Sequence, residues 1–472
     1  MHTETEFGRQ VHTRFSYIGH IAPKSTNEIR SSNWLLGCET LDRDYADYDQ
    51  YKAYLQPLGI LYLRFQGGWA KTEKQKGIYD WAWMDHIVND AVSRGLKPWI
   101  QTGYGNAIYP GGGGENLGAG MPLSSEAMAA YEKWVAAMVA RYADRVQDWE
   151  IWNEPNFSDN KVNTPEVTAE FNIRTGRIIK SIQPDARISA LSLGHIDVEF
   201  VERFFAYLHS HNACGLFHNA TYHDYVYNPD SNKLKVYQMR QIVEKYAPGM
   251  ILRQGENGAP SQAYAGGALW DHPWTEYSQA KWYLRRMLEN LGNDIECSVF
   301  SIAEIQYNSD GPIKKTNTKG LLETNAARQV IRPKMAYYAV QHVTSVFDDT
   351  LTRITGAAFR HNIDQTDVDR YWYNTDRSIS VYGYRNTEKG GCIYTIWSDD
   401  AIPGDETNLS ERSFAFAGSH FQEPMLVDMV TGEVYAIPAD HWQKEGGIDR
   451  FQGIPVYDAP ILIAEKKLLK IQ

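Results

Sequence analysis

The stretch DWEIWNEPN, residues 148–156, is an apolar run that ends abruptly in a polar turn. Seven similar runs recur along the chain, and each is followed by a loop and then by a segment with helical periodicity. Together the eight runs predict strands at 33–38, 60–65, 97–102, 148–152, 187–192, 219–225, 250–255 and 297–305. Strands that alternate with helices in this way indicate a parallel α/β fold. Eight units favour a (β/α)8 TIM barrel over an open sheet, since no GxGxxG fingerprint follows the first strand.

The segments between the predicted strands carry the signals of helices. In 125–142 the apolar residues recur at spacings of three and four, which places them on one helical face. Thr164, Pro165 and Glu166 supply an N-cap, a first-turn proline and a first-turn acid. We therefore predict one helix over 125–142 and another that begins at Pro165.

The sequence pattern changes near residue 346. From there to residue 472, short stretches of alternating polarity are separated by Gly, Pro, Asp and Asn, which is typical of an all-β sandwich. Residues near the N-terminus alternate in the same way. The sequence thus predicts an N-terminal strand within 1–20 that joins the sandwich, a (β/α)8 barrel over 21–345 and a C-terminal β-sandwich over 346–472.

Composition narrows the range of partners. The 472 residues include 58 acidic and 47 basic side chains, which gives a net charge of −11, and they contain no basic run. A nucleic-acid partner is therefore not expected, because its phosphates need a basic surface. No run of about 18 apolar residues occurs, so we expect no membrane-spanning segment either.

The N-terminus gives little information on location. It lacks the basic segment and apolar core of a signal peptide. We expect a cytoplasmic protein, or a periplasmic or extracellular one if a leader once preceded Met1. Whether the chain forms homo-oligomers stays open.

Two glutamates follow predicted strands at matching places. Glu154 comes two residues after the fourth strand, and Glu256 comes directly after the seventh. In a TIM barrel both would face the same mouth, because active sites lie at the C-terminal ends of the strands. A lone glutamate here is as readily a loop acid or an N-cap. Two opposed carboxylates, however, are what glycosidic bond cleavage needs, one as acid and one as nucleophile or base.

Three segments carry a resemblance to a known group of enzymes. WEIWNEPN resembles the strand-four signature of clan A glycoside hydrolases, RQGENG resembles their strand-seven segment, and 319–341 resembles the segment that closes such barrels. A barrel with a C-terminal sandwich is most similar to glycoside hydrolase family 39. The resemblance implies a retaining enzyme that cleaves β-type O-glycosidic bonds by double displacement without a cofactor. Glu154 would be the acid/base and Glu256 the nucleophile, with carboxyl groups about 5 to 5.5 Å apart.

The same resemblance implies roles for four further residues. Asn153 would hydrogen-bond the hydroxyl next to the anomeric carbon, and Arg64 would brace the nucleophile. His223 would line the sugar site, and Tyr225 would contact the nucleophile. Where the family commonly has a tryptophan or an aspartate near the end of strand eight, this sequence has Glu304 and Tyr307 instead.

Loops after the predicted strands supply further candidates for sugar binding. They offer carboxylates and amides for hydroxyl groups, and flat aromatic rings for sugar faces, although each tryptophan alone is as readily a packing residue. The candidates are Glu39, Gln66, Trp69, Tyr104, Asn106, Trp270, Glu304 and Tyr307. A cluster of histidines and a cysteine at 209–218 has no recognised zinc spacing, so we predict no metal site.

The sequence leaves two alternatives to a β-glycosidase. One is a relative in the same clan, an endo-acting glucanase or an arabinofuranosidase. The other is a non-catalytic carbohydrate-binding protein, although a pure binder has no need of opposed carboxylates. In every case the expected partner is an oligosaccharide, polysaccharide or glycoside, whose identity the fold does not determine.

Overall fold

A computed structural model describes residues 14–157, 162–307, 315–355 and 378–472, and the backbone of 358–361 and 366–368. β1 (Ser16–His20) precedes a closed barrel of eight parallel strands. The barrel strands are β2 (Trp34–Gly37), β3 (Tyr62–Gln66), β4 (Lys97–Gln101), β5 (Asp148–Glu150), β6 (Arg187–Leu193), β7 (Asn219–Tyr222), β8 (Ile251–Gln254) and β9 (Glu296–Val299). Neighbours along the chain pair in parallel, and β9 closes the barrel on β2. The predicted TIM barrel is confirmed.

Helices surround the barrel. They are α1 (Tyr48–Tyr51), α2 (Trp69–Thr72), α3 (Ala82–Ser93), α4 (Ser125–Tyr142), α5 (Pro165–Ile182), α6 (Val198–Ser210), α7 (Lys233–Tyr246), α8 (Glu276–Gly292) and α9 (Met335–Val346). α4 and α5 begin where the sequence predicts, because the Ser124 and Thr164 side chains accept hydrogen bonds from the first-turn amides. Among the described residues, none of the helices combines the length and the apolar character needed to cross a bilayer.

Two antiparallel sheets form the C-terminal part. Two short antiparallel pairs come first along the chain, β10 (Ile305–Gln306) with β11 (Thr316–Asn317) and β12 (Leu322–Thr324) with β13 (Val330–Pro333). The strands of the two sheets that follow are β14 (Leu351–Ile354), β15 (Ala358–His361), β16 (Thr366–Val368), β17 (Ile379–Asn386), β18 (Cys392–Ser398), β19 (Ser410–Ala417), β20 (Pro424–Asp428), β21 (Glu433–Ala436), β22 (Trp442–Glu445), β23 (Ile448–Val456) and β24 (Ile461–Glu465). One sheet has the order β1-β21-β20-β24-β18-β17-β14, and the other has β16-β15-β19-β23-β22. Tyr394 and Phe416 stack between them with ring centres 3.8 Å apart.

The C-terminal β-sandwich is therefore confirmed as a class of structure. Within the predicted N-terminal segment 1–20, residues 1–13 lie outside the described part of the chain. The strand β1 (Ser16–His20) pairs with β21. The boundaries at residues 21 and 346 stay predictions.

Buried cations of α8 join the barrel to the sandwich. Arg285 donates hydrogen bonds to the Asp230 carboxylate and to the backbone carbonyls of Asp399 and Ala401. Lys281 donates to the Asp458 carboxylate at 2.6 Å. Since removing one partner of a buried ion pair leaves an uncompensated charge, these contacts hold the two parts in one arrangement.

Gly320 is a glycine because the chain passes directly against it. A Cβ atom at this position would lie well within 3.0 Å of the Glu304 nitrogen and of the Ala303 backbone. Backbone atoms cannot rotate away, so we expect Gly320→Ala to lower the free energy of unfolding by about 3 kcal/mol or more. Urea denaturation measures this loss.

Gly215→Ala is the matched control for that substitution. A Cβ at Gly215 would meet no atom within 4 Å. We expect its free energy of unfolding to change by no more than about 0.5 kcal/mol. Equal losses in the two variants would contradict the steric explanation.

Candidate active site

The carboxyl ends of the barrel strands surround a cavity of about 670 Å³. This is the size range of sites for small organic ligands. Nine of the predicted site residues line it: Glu39, Gln66, Tyr104, Asn153, Glu154, Tyr225, Glu256, Trp270 and Tyr307. Residues spread over more than 260 positions in sequence thus meet at one mouth, as the barrel topology requires.

Glu154 and Glu256 lie opposite each other in this cavity. Each is exposed by less than a tenth, 6% and 7% respectively. One carboxylate oxygen of Glu154 lies within 4.8 Å of one of Glu256. The Glu154 backbone has a φ of +47°, in the left-handed region, and its N–H donates to the Ser192 carbonyl. A non-glycine residue in this conformation carries backbone strain, which concentrates at functional sites.

Arg64 on β3 is fully buried and donates hydrogen bonds to four side chains around the cavity. Its Nη1 donates to Glu256 at 2.6 Å and to Glu39 at 2.7 Å. Its Nε donates to Glu150 at 2.6 Å, and its Nη2 donates to the Asn153 amide oxygen at 2.9 Å. One guanidinium therefore binds three carboxyl groups and fixes the position of Glu256. The resemblance implied this contact between Arg64 and Glu256.

The surroundings of Glu256 favour its ionised form. Burial raises the pKa of this carboxyl, but the charges of His223 and Arg64 and hydrogen bonds from Arg64 and Tyr225 outweigh burial and hold the pKa below its ordinary value. The Tyr225 hydroxyl donates to Glu256 at 3.0 Å. A buried carboxylate that stays anionic at neutral pH can act as a nucleophile.

His223 lies between the two glutamates. Its Nδ1 is 2.7 Å from Glu154 and 3.6 Å from Glu256. Burial lowers the pKa of this imidazole, but the charges of the two carboxylates raise it above its ordinary value overall. Within the described ranges these three residues also form the one group with the spacing of metal ligands. Arg64 already neutralises Glu256, so the trio is explained by hydrogen bonding and ion pairing.

Asn153 is fixed in the cavity wall by three neighbours. Its amide oxygen accepts from Arg64 and from Gln101, and its Nδ2 donates to the Tyr104 hydroxyl at 2.7 Å. An amide nitrogen carries two hydrogens, so one remains for a ligand. Asn153 can therefore offer a hydrogen bond to a hydroxyl group in the cavity.

Five predicted site residues do not line the cavity. Arg64 and His223 are fully buried and pair with Glu256 and Glu154, and the other three are Trp69, Asn106 and Glu304. Trp69 begins α2 and is fully buried, where it stacks on Tyr109 and Trp134. Asn106 donates to the Glu73 carbonyl, and Glu304 pairs with Lys334 at 3.0 Å. Because these polar groups are occupied inside the protein, the structure gives them a packing role and the prediction of sugar contact is corrected.

Other functional candidates were not apparent from the sequence. Glu150 lies fully buried on β5 and accepts hydrogen bonds from Ser192 at 2.7 Å and Thr221 at 2.8 Å, besides its pair with Arg64. Its signal was a charged residue inside an apolar run, four positions before Glu154. Further lining residues were not among the predicted site residues: Arg43, Asn116, Phe157, His195, Asn317 and Lys319.

Glu39 gives the site a distinct pH dependence. Burial raises the pKa of its carboxyl from about 4.5 to about 8, opposed by the Arg64 charge and assisted by the Glu256 charge. Because the folded protein binds this proton more tightly than the unfolded chain, Glu39 contributes stability at low pH that is lost as the pH rises through about 8. We compare the free energy of unfolding of Glu39→Gln with that of the unchanged protein. The difference, variant minus unchanged protein, should increase steadily between pH 4.5 and about 8. Urea denaturation at several pH values tests it, and a constant difference would contradict the raised pKa.

Comparison with solved structures shows that this architecture is that of clan A glycoside hydrolases. A family 39 glycoside hydrolase from the gut symbiont Bacteroides cellulosilyticus WH2 matches with a TM-score of 0.64 and 17% identity, over 94% of this chain and 83% of that one. A monomeric β-xylosidase from Caulobacter crescentus CB15 matches with a TM-score of 0.59 and 14% identity, over 95% and 97% of the two chains. The catalytic domain of a family 30 xylanase C from Talaromyces cellulolyticus gives 0.59 and 13%, over 95% and 98%.

Because these sequence identities are low, the structural likeness establishes the fold alone. No sequence family matches the chain, and no curated protein matches it. The resemblance to clan A in the sequence is thus confirmed at the level of a shared fold over nearly the whole chain.

Proposed function

We propose that this protein is a retaining glycoside hydrolase that cleaves β-type O-glycosidic bonds. The observation that carries the proposal is the pair Glu154 and Glu256, with carboxylate oxygens within 4.8 Å of each other across the cavity. Retaining enzymes hold their two carboxyl groups about 5 to 5.5 Å apart, whereas inverting enzymes need about 6.5 to 9.5 Å to admit a water molecule. The short separation supports direct attack by one carboxylate.

The roles follow from the surroundings of each carboxyl group. Glu256, ionised and held by Arg64 and Tyr225, attacks the anomeric carbon while Glu154 gives its proton to the departing oxygen. The result is a glycosyl ester of Glu256 and a free alcohol. Glu154 then removes a proton from water, which attacks the same carbon and releases Glu256 as a carboxylate. Two inversions give net retention of configuration.

Two further groups support binding of the sugar ring. Asn153 has one amide hydrogen left for the hydroxyl beside the anomeric carbon. Trp270 is half exposed at the cavity rim, where its ring is available to stack on a sugar face. The neighbours' names include a β-xylosidase and a xylanase, so xylosides belong among the first substrates to test.

A non-catalytic binding protein is the weaker alternative. A binder gains nothing from two opposed carboxylates that share one histidine, because burying them costs free energy unless they are paired. An endo-acting glucanase or an arabinofuranosidase would use the same two glutamates. A panel of aryl β-glycosides with glucose, galactose, xylose, fucose and arabinose identifies the sugar.

Glu154→Gln tests the acid assignment. The amide cannot donate a proton to the departing oxygen, so we expect kcat/KM to fall about 10³-fold for substrates with poor leaving groups. Dinitrophenyl glycosides, whose leaving group needs no proton, should lose far less in the first step. Steady-state rates over a series of leaving groups measure the difference, and a uniform loss over the series would argue against Glu154 as the acid.

A further inference from the structure

Two lysines, Lys315 and Lys319, lie in one wall of the cavity. Lys315, Asn317 and Lys319 lie close together in the chain, on and beside β11. All three line the cavity. Lys315 is exposed, and Lys319 is only 1% exposed.

Lys319 differs from the other buried lysines in its lack of partners. Lys281 donates to Asp458 and to two backbone carbonyls. Lys334 donates to Glu304, to Ser261 and to one carbonyl. The Nζ of Lys319 has no hydrogen-bond partner among the described residues, although an ammonium group carries three donors.

The position of Lys319 is beside the reacting groups. Its Nζ lies 5.5 Å from the centre of the Tyr225 ring, and the Tyr225 hydroxyl donates to Glu256. A Cβ at Gly267 would lie 3.0 Å from this Nζ, so the glycine keeps that side of the amine free of side-chain atoms. The amine is therefore separated from Glu256, to which the sugar would be attached, by the Tyr225 side chain alone.

We propose that Lys319 binds an anionic substituent, a carboxylate or a sulfate, on the sugar that this site cleaves. The proposal rests on the proposed function for the location of the sugar. A buried ammonium group needs a counter-charge, and since the described residues give this amine no hydrogen-bond partner, we assign that part to the ligand. A neutral hydroxyl would satisfy one donor, whereas a carboxylate or a sulfate offers several acceptor oxygens and a counter-charge.

The charges around the cavity are compatible with an anion there. Arg64 and His223 offset Glu256, and the raised pKa of Glu39 keeps that carboxyl protonated at neutral pH. Burial lowers the pKa of Lys319 itself to about 7, against the opposing effect of the Glu256 charge. An anion beside the amine would restore its positive form.

Binding of 1-thioglycosides, which resist hydrolysis, tests the proposal by calorimetry. The probes are the methyl 1-thio-β-glucoside and 1-thio-β-galactoside, their uronic acid forms and their 6-sulfates. We expect at least one charged probe to bind the unchanged protein 10-fold or more tightly than its uncharged parent, and this preference to disappear in Lys319→Met. The uronate and sulfate probes distinguish the two kinds of anion.

Controls separate this proposal from a folding defect and from the proposed function. Lys319→Met removes an unpaired buried charge, so its melting temperature should not fall, and Lys315→Met should lose less of the preference because that amine is exposed to solvent and salt. No preference in the unchanged protein, or a preference kept in Lys319→Met, overturns the proposal. Hydrolysis of neutral glycosides with no charged preference would leave the hydrolase intact. Charged probes that bind through Lys319 without any hydrolysis would leave only the binding site.

Discussion

Replacing Glu256 with alanine is expected to lower kcat by roughly 10⁵-fold or more, the scale of loss when a covalent nucleophile is deleted. The physical reason is that no other carboxylate in the described part of the chain has the same access to the anomeric carbon, since Glu39 is bound to Arg64 and its raised pKa keeps it protonated. Initial rates with the best aryl glycoside of the panel measure the loss. Glu296→Ala is the control, because Glu296 begins β9 at the opposite end of the barrel and pairs with Arg253.

Azide makes this test diagnostic for each glutamate. In Glu256→Ala, azide enters on the face that the side chain has left, so it should restore turnover and give a glycosyl azide of inverted configuration. In Glu154→Ala, azide replaces water in the second step and should give the retained azide. Proton NMR of the products separates the two. A retained product from Glu256→Ala would mean that the roles are exchanged.

Arg64→Met is expected to lower the free energy of unfolding by about 3 to 5 kcal/mol, the cost of breaking a buried ion pair. The substitution leaves Glu39, Glu150 and Glu256 without their shared guanidinium. It also removes one of the two charges that hold the pKa of Glu256 down. Because Glu256 has to be ionised to attack, the acidic limb of the pH profile of kcat/KM should move to higher pH. Urea denaturation and rates from pH 4 to 8 measure both effects.

Arg253→Met is the matched control for this prediction. Arg253 is equally buried in the barrel and lies over the same Trp99 ring, 4.5 Å from its centre against 5.3 Å for Arg64. It pairs with Glu296 instead of Glu256. We expect a loss of stability without a shift of the acidic limb. An equal shift in both variants would show that Arg64 acts only through the stability of the fold.

The barrel and the positions of its two glutamates could be predicted because they depend on local patterns. Each strand is a short apolar run, and Glu154 and Glu256 follow strands at places that the topology brings together. The buried polar side chains bonded to Arg64 and Glu150 could not be predicted in the same way. Glu150 lies inside an apolar run, and its partners Ser192 and Thr221 come from two other strands.

Loop residues were the least predictable part of the site. Trp69 comes three residues after Gln66, which ends β3, but α2 begins at Trp69 and turns its ring into the core. Conversely, Lys319 is 165 positions from Glu154, and the resemblance of 319–341 to a barrel-closing segment did not mark this lysine as a site residue. Burial and hydrogen bonding of such residues depend on how loops pack, which no local pattern encodes.

The cations of α8 have a consequence for how the chain can be divided. Arg285 and Lys281 belong to the barrel by sequence, but their acceptors include Asp399, Ala401 and Asp458 in the sandwich. A fragment that ended near residue 346 would lose those acceptors, and Arg285 would keep its pair with Asp230. We therefore expect the barrel alone to be less stable than the whole chain. Evolutionary exchange or engineered grafting of the barrel would preserve these contacts only if the sandwich moved with it.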